Sequence, residues 1–248
     1  MKLTTKALSF FVAVTLIGCA SVKSENKSIP VKQNGDISSK CILSVLKNKP
    51  KEALPFCNSS AQQGSPESLY LLGSLYFSGN AVEQDKQHAI ELWTLSAQKG
   101  LKVAQYGLGK AYYDGNGVKI SKSNALKWWK KAAEQGDEKA MYALGIMYRD
   151  GEGVPVDLTK VFELWTVSAQ KGYSNAQGGL ASMYGAGIGV ERNDIQSYAW
   201  YYTAYTNTGD KKIKNLMELS LNVLSPNDAK IAKSISNQYI KKYSKINK

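Results

Sequence analysis

The chain has 248 residues, of which 43% are hydrophobic and 21% charged, and a formal net charge of +12. This composition is typical of a globular protein that can bury a core, and it excludes collagen-like and low-complexity chains. The positive charge lies at the two ends: residues 65–209 carry 14 basic and 14 acidic side chains, against 7 and 3 in residues 20–64 and 9 and 3 in residues 210–248. Since a nucleic-acid binder is expected to have a basic stripe along its working surface, we expect no nucleic-acid partner.

The N-terminus predicts an exported, lipid-anchored protein. Two lysines precede an uncharged run over residues 7–17, which is too short to cross a bilayer and is typical of a signal peptide over residues 1–18. The letters LIGC, ending at Cys19, resemble a bacterial lipobox, which implies cleavage before this cysteine and attachment of lipid to it; a secretory signal with a chance cysteine is the alternative. Ala20 is not the aspartate that retains lipoproteins in the inner membrane of enteric bacteria, so the resemblance implies the periplasmic face of the outer membrane. Residues 19–36 are then the lipidated cysteine and a flexible tether.

Residues 37–64 are predicted to form a degenerate capping half-repeat. The letters KEALPFCNSSAQQG align, 36 residues apart, with QHAIELWTLSAQKG in the first of the repeats that follow. Cys41 and Cys57 fall on the columns of Phe77 and Trp93, on opposing helices of this unit. In an oxidising periplasm two such thiols should pair and staple a terminal unit that lacks a neighbour on one side; two free buried cysteines are the alternative.

A period of 36 residues organises the middle of the chain into four units, 65–100, 101–136, 137–172 and 173–209, as in a helical repeat array. In each unit a small residue, a leucine, a very small residue and a tyrosine recur at spacings of four, one and three, which predicts one helical stripe that a second helix can approach closely. A strong N-cap residue then starts a second helix, which contains a tryptophan or tyrosine. The columns are Ser68, Ala104, Ala140, Ala176; Leu72, Leu108, Leu144, Leu180; Gly73, Gly109, Gly145, Ala181; Tyr76, Tyr112, Tyr148, Tyr184; Asp85, Ser121, Asp157, Asn193; and Trp93, Trp129, Trp165, Tyr201.

Glycines between the two helices of a unit, as in DGEGVP at 150–155, are predicted to make turns. A dinucleotide-binding loop needs a strand before its glycines and a third glycine two residues later. Here a helix precedes them and the motif recurs in every unit. The glycines at 100, 136 and 172 close the second helix, where a left-handed residue is favoured.

These residues resemble the Sel-1-like repeat, a tetratricopeptide-related helix pair. The pattern A-x-x-x-L-G-x-x-Y, then G-x-G-V, then a tryptophan-centred helix is carried by AQYGLGKAYYDGNGV and AMYALGIMYRDGEGV. The resemblance covers residues 65–209 and implies an all-α, right-handed α/α solenoid used for protein–protein contact, with atypical capping helices at both ends. It implies no particular reaction. Repeat 4 departs most, with Gly178, Ala181 and Tyr201 in place of the usual tyrosine, glycine and tryptophan.

Residues 210–248 are predicted to be C-terminal capping helices. DKKIKNLMELSLNVL forms one helix, and Ser225-Pro226 begins a final helix over 226–243. The apolar face of that final helix is expected to be Ile231, Ile235, Tyr239 and Ile240. The excess of lysine in this region suits an anionic membrane surface or an acidic partner, and a solvated lysine-rich tail is the simpler interpretation.

No residue pattern points to catalysis, a metal or a cofactor. His88 is the only histidine and shares a column with polar residues, so neither a metal site nor a histidine-based triad is expected. Some secreted members of the resembled family have been linked to penicillin binding, and Ser44 to Lys47 matches S-x-x-K. No K-T-G follows, so we regard the match as chance.

One face of the first helix in each repeat is predicted to bind a partner. It carries tyrosine, phenylalanine and arginine in three repeats, types that are common at binding hot spots, and little in the fourth. Stacking of the tetratricopeptide kind would turn this ridge to the concave groove. The alternative is that Tyr70, Tyr106 and Tyr142 only pack between repeats. The ridge consists of Tyr70, Phe77, Tyr106, Lys110, Tyr113, Tyr142, Ile146 and Arg149.

The sequence therefore predicts a non-enzymatic, lipid-anchored periplasmic scaffold that binds a protein or peptide in the groove of a solenoid, with no small-molecule substrate. One alternative is an immunity protein, because some periplasmic proteins with these repeats neutralise phospholipase toxins delivered between bacteria. A penicillin-interacting or β-lactamase-like protein is the least favoured alternative.

Overall fold

The computed structural model describes residues 34–244, which are all α-helices and connecting turns without a β-strand in that range. The predicted signal peptide, Cys19 and most of the tether lie outside these residues. Within them, no helix is long and apolar enough to cross a membrane. The helices are α1 (Asn34–Leu46), α2 (Pro50–Gln62), α3 (Pro66–Ser78), α4 (Lys86–Gln98), α5 (Lys102–Asp114), α6 (Lys122–Glu134), α7 (Glu138–Asp150), α8 (Leu158–Gln170), α9 (Ser174–Ala186), α10 (Asp194–Thr208), α11 (Lys211–Asn222) and α12 (Pro226–Tyr243).

The helices form successive antiparallel pairs, as the 36-residue period predicts. In each of the four repeats the first helix, called helix A (α3, α5, α7 and α9), packs on the second, helix B (α4, α6, α8 and α10), and helix B packs on helix A of the next repeat. From α1 to α11 each helix therefore packs on the next along the chain, which is the arrangement of a solenoid, and α12 returns to pack on α10. The predicted all-α solenoid is confirmed.

The predicted helix boundaries are confirmed by the caps. The side chain of each N-cap residue of helix B accepts a hydrogen bond from the backbone N–H three residues later, as Asp85 does from His88 at 2.9 Å. The first glycine of each loop ends helix A in the left-handed conformation, with φ of 72° at Gly79 and 75° at Gly115. The glycine loops are turns between helices, as expected.

The very small residue of helix A makes room for the tryptophan of helix B. A Cβ added at Gly73 would lie 2.6 Å from Cδ1 of Trp93, and Gly109 and Gly145 face Trp129 and Trp165 in the same way. Repeat 4 has Ala181 in this column, and there the partner on helix B is Tyr201. Glycine and tryptophan thus occur together because the indole occupies the space that a methyl group would need.

The N-terminal unit is a helix pair, α1 and α2, joined by only three residues. Helix α1 begins at Asn34, three residues before the boundary that the sequence predicts. Cys41 and Cys57 form a disulfide with a Cα–Cα distance of 4.8 Å, and both are fully buried. The predicted pairing is therefore confirmed. It connects the two helices at the columns where repeat 1 stacks Phe77 on Trp93.

The C-terminal helices pack on α10, the last helix B. Trp200 of α10 packs against two tyrosines of α12, with ring centroids 4.5 Å from Tyr239 and 5.5 Å from Tyr243, and the two tyrosine rings also contact each other. The residues of α12 that are buried are Ala232 and Ser236, whereas Ile231 is exposed. The predicted apolar face of α12 is therefore correct in part: Ile235, Tyr239 and Ile240 are partly buried, but Ile231 is exposed. Contact with Trp200 shifts the buried stripe towards 232, 236, 239 and 243.

Candidate docking groove

The ridge of helix A lies against the tryptophan of its own repeat. In repeat 1, the rings of Tyr70 and Phe77 both stack on Trp93, at centroid distances of 5.9 and 4.8 Å. In repeat 2, Tyr113 lies 5.1 Å from Trp129. An aromatic surface therefore runs from helix A down to helix B in both repeats.

Repeat 3 has the same construction with one change. Tyr142 stacks on Trp165 at 5.2 Å, and the guanidinium of Arg149 lies 5.8 Å from the centroid of that indole. Arg149 thus makes a cation–π contact at the column that carries an aromatic ring in the first two repeats. It also pairs with Asp150, at 2.7 Å between Nε and Oδ1.

Hydrogen bonds hold the three tryptophans in place. The indole Nε1 of Trp93, Trp129 and Trp165 donates to the backbone carbonyl oxygen of the ridge tyrosine in the same repeat, each at 3.1 Å. Because a buried indole N–H needs an acceptor, this bond fixes the ring under the groove surface. The indole rings are therefore held in fixed positions beneath the ridge residues.

Two recesses open on this face, each between consecutive A helices. The first, about 240 Å³, has Trp93 as its floor and Tyr70, Phe77, Tyr106 and Lys110 around it. Gly107 leaves one wall of this recess low, since it has no side chain. The ridge residues of repeats 1 and 2 are thus brought together, apart from Tyr113.

The second recess, about 220 Å³, lies between α7 and α9. Its floor is Trp165, and Tyr142, Arg149 and Met183 surround it. Gly179 gives access to the indole face, because a Cβ at this position would lie 2.7 Å from Cε3 of Trp165. We name the surface that holds both recesses the A-helix groove.

The part of the groove between the recesses is filled. Lys122 Nζ lies 3.2 Å from the ring centroid of Tyr113 and 3.0 Å from Oε2 of Glu152, which belongs to the next repeat. Burial, with a hydrogen bond to Glu152, raises the pKa of Tyr113 to about 12, and the same bond together with Lys122 lowers the pKa of Glu152. The block formed by Tyr113, Lys122 and Glu152 separates the two recesses. Ile146 packs against the hydrophobic cluster that contains the core of repeat 4.

The predicted ridge residues differ in exposure. Tyr70, Tyr106 and Tyr142 are half-buried and pack against the hydrophobic clusters between repeats, so they contribute to stacking of the array as well as lining the groove. Burial is the main cause that raises the pKa of Tyr106 to about 12. Lys110 and Arg149 are exposed. The docking role of the ridge stays a prediction.

The two cations that line the recesses, Lys110 and Arg149, are each paired with an acid, so the groove has little net charge there. Lys110 pairs with Asp114 of its own helix, as Arg149 does with Asp150. At the repeat 4 end, Gly178 stands in the tyrosine column, and a Cβ there would meet no atom within 4 Å. The groove therefore ends in a bare helix surface.

The sequence predicted the ridge but not the floors or the openings. The sequence places the tryptophans in a constant column of helix B, which does not show that their faces border a groove, and nothing in it singles out Gly107 and Gly179. A signal was present in their column, which reads Leu71, Gly107, Ala143 and Gly179, so that glycine alternates with larger residues. Only the neighbouring helix shows that these two glycines uncover an aromatic face.

The residues weighed for catalysis lie apart from the groove. His88 is at the start of α4, with its ring edge-on to Tyr76 at 4.7 Å and Nδ1 3.3 Å from Glu91. Ser44 lies in the last turn of α1, and Lys47 follows the end of that helix. Among residues 34–244, no group of three or more His, Cys, Asp and Glu side chains could hold a metal ion.

The fold and the groove define a helical-repeat solenoid of the kind that suits protein–protein contact. A model of the Sel1 repeat matches residues 66–101, 102–137, 138–173 and 174–208, more than half of the sequence, and the chain therefore belongs to the Sel1 repeat family. Sel1-repeat scaffolds are generally non-enzymatic. No curated protein matches the chain in sequence.

Solved structures agree on the fold. A protective antigen present in uropathogenic Escherichia coli strains, displaying an SLR fold, is 30% identical with a TM-score of 0.77, over 86% of this chain and 46% of that one, so this chain spans less than half of that relative. A Sel1 repeat protein from Oxalobacter formigenes is 24% identical with a TM-score of 0.70, over 84% of this chain and 89% of that one. An immunity protein from Pseudomonas aeruginosa is 18% identical with a TM-score of 0.50, over 87% and 86%. The last two likenesses are of fold alone.

Proposed function

We propose that the protein is a docking scaffold that binds an extended segment of a partner protein in the A-helix groove. The observation that carries this proposal is the pair of recesses with rigid indole floors, at Trp93 and Trp165. Aromatic and arginine side chains around such recesses are the types found at binding hot spots.

The size of the recesses favours side chains of a peptide over a free small molecule. Their volumes, about 240 and 220 Å³, are below the range of roughly 300–1,000 Å³ that is usual for small-molecule sites. The block formed by Tyr113, Lys122 and Glu152 separates them. A partner segment would therefore place one apolar side chain in each recess and cross the block with polar groups.

The test is to narrow one recess without removing a wall. Peptides are selected from a random displayed library on the purified full chain, and their affinities are compared on Gly107→Leu and Gly107→Ala. An alanine Cβ here makes an ordinary contact of 3.6 Å with Tyr70, so the alanine variant should still bind. The leucine should enter the first recess and weaken binding by about 1–3 kcal/mol. If the selected peptides bind Gly107→Leu, Gly107→Ala and Arg149→Ala with the same affinity, the peptides do not bind in the A-helix groove and the proposal is wrong.

We further propose that the protein is anchored by lipid on Cys19 and faces the periplasm from the outer membrane. The lipobox resemblance supports this, together with a buried disulfide that suits an oxidising compartment. Cys19→Ser, exported behind a signal peptide whose cleavage does not require the cysteine, should move the protein from the membrane to the soluble fraction of lysed cells. A variant that stays in the membrane fraction through a high-salt wash contradicts the anchor.

An immunity role remains the alternative form of the docking proposal, with a toxin as the partner. The Pseudomonas immunity protein supports it only as a shared fold. A phospholipase gene beside the gene for this chain, and protection of cells that express the chain, would favour this role. The penicillin-interacting alternative would need nitrocefin turnover that Ser44→Ala abolishes.

A further inference from the structure

We propose that helix α11 of the C-terminal cap docks on an anionic phospholipid surface through its outward face. This surface is separate from the A-helix groove, and the proposal does not depend on what the groove binds. The outward face consists of Lys212, Leu216, Leu219 and Val223, which we call the α11 stripe.

Three of the four residues of the α11 stripe are apolar, and no other part of residues 34–244 covers them. Its residues are spaced by four, three and four, so they lie on one side of the helix. Leu216, Leu219 and Val223 are 43%, 63% and 61% exposed. The opposite side of α11 is occupied, because Met217 is buried and Ile213 and Leu221 pack on the core of repeat 4. Helix α11 therefore has two apolar faces, of which the fold uses one.

The charges of the C-terminal cap favour an anionic partner. Residues 210–244 contain seven lysines, three of them on α11 and four on α12, and three acidic residues. Each acid is already engaged: Asp210 caps α11, Asp228 accepts a hydrogen bond from Ser225, and Glu218 pairs with Lys214 at 3.6 Å. Lys212 lies within the stripe, and Lys211 adjoins it. The cap thus combines exposed leucines with uncompensated positive charge.

This combination fits a lipid surface better than a second copy of the chain. An apolar helix face with lysines beside it inserts at the boundary of headgroups and acyl chains, where the lysines meet lipid phosphates. Pairing of two copies through the stripe would bring two lysine-rich surfaces together. The stripe is the side of a helix and forms no recess. It can therefore lie on a flat bilayer, but it has no cavity that would hold a protruding side chain of a protein partner.

The test uses the protein without residues 1–19, so that neither the predicted signal peptide nor a lipid binds the membrane, and vesicles of phosphatidylcholine with or without one third phosphatidylglycerol. We expect co-sedimentation with the anionic vesicles that falls at least tenfold in Leu216→Ser/Leu219→Ser/Val223→Ser. The matched control is Ile120→Ser/Val156→Ser, since these two side chains are each 60% exposed in repeat loops. The control should bind as the parent does.

A single charge change provides a readout that leaves the three apolar residues of the α11 stripe unchanged. Lys212→Gln should lower the partition onto anionic vesicles about fivefold, the effect of one lysine near a charged surface. If the triple variant does not fold, as judged by its melting, Lys211→Gln and Lys212→Gln decide the question. Equal binding to neutral vesicles, binding unchanged in all α11 variants, or a dimer in light scattering that the triple variant loses would each overturn the proposal.

Discussion

At the residue scale, the array depends on a match between one glycine of helix A and one tryptophan of helix B. The indole N–H reaches the carbonyl of Tyr106 in repeat 2 because Gly109 leaves its position empty. Repeat 4 shows the alternative solution, with Ala181 facing Tyr201. The two positions therefore act as a unit.

This match predicts a non-additive pair of substitutions. Gly109→Ala should cost about 1–3 kcal/mol, because the methyl group overlaps the indole and forces it to move. Trp129→Tyr should also destabilise, since it removes ring area and the indole donor. The double variant copies repeat 4, and its loss should be smaller than the sum of the two by about 1 kcal/mol or more. Urea denaturation of the four proteins measures this, and strict additivity would contradict the steric match.

At the element scale, the N-terminal pair α1–α2 has a disulfide where the repeats have an aromatic stack. A terminal unit packs on one neighbour only, so it has less buried surface to hold its two helices together. The disulfide between Cys41 and Cys57, 16 residues apart, replaces that contact with a covalent one.

Removing the disulfide should loosen this end. Cys41→Ser/Cys57→Ser is expected to lower the free energy of unfolding by about 3 kcal/mol, as the entropy of closing this loop implies. Reductant should destabilise the parent in denaturant by a similar amount and leave the double variant unchanged. Free thiols at both positions in exported protein, found by mass mapping without reductant, would contradict the pairing.

The loop between the helices of repeat 3 contacts repeat 2 through the ion pair of Glu152 with Lys122, so the charge of Glu152 affects stability. Hydrogen bonding to Tyr113 and the nearness of Lys122 lower the pKa of Glu152 below its ordinary value of 4.5. A lowered folded-state pKa means that the stabilisation is present above pH 4.5 and is lost as the pH falls through the folded-state pKa.

Glu152→Gln should therefore destabilise the protein by up to about 1 kcal/mol at pH 7, because the ion pair is partly exposed. The difference from the parent should shrink as the pH falls below 4.5. Glu163→Gln is the control, since its pair with Lys160 is exposed and lies within one helix. Melting curves across this pH range measure both, and a difference that persists at low pH would exclude the ion pair as its cause.

At the scale of the whole molecule, most contacts join neighbouring units, and α12 also touches α8 of repeat 3, so a defect at one end should stay near that end. Trp200 is buried against Tyr239 and Tyr243 and joins the C-terminal cap to repeat 4. Trp200→Ala should cost about 3–5 kcal/mol at this end. Hydrogen exchange should accelerate in α9 to α12 and leave α1 to α4 nearly unchanged. A uniform acceleration along the chain would show that the array unfolds as one unit.

The sequence by itself determined the repeat architecture, because its causes are local. Glycines at turns, Asp85 and its equivalents at helix starts, and the 36-residue spacing of tryptophan depend on few neighbouring residues. The pairing of Cys41 with Cys57 followed from the same register. These features recur, so each repeat is an independent test of the same prediction.

The tertiary structure determined which of the predicted surfaces are exposed and which are buried by packing between helices. The sequence placed Tyr113 and Arg149 on one ridge, but only packing between repeats buries Tyr113 beside Lys122 and leaves Arg149 exposed. Only the tertiary structure shows that Gly107 and Gly179 border recesses, because each recess forms between the helix that carries the glycine and the A helix of the preceding repeat. The tertiary structure also determines which stripe of α12 is buried and leaves the α11 stripe uncovered. The sequence of a helix with two apolar faces does not show which face packs against its neighbour.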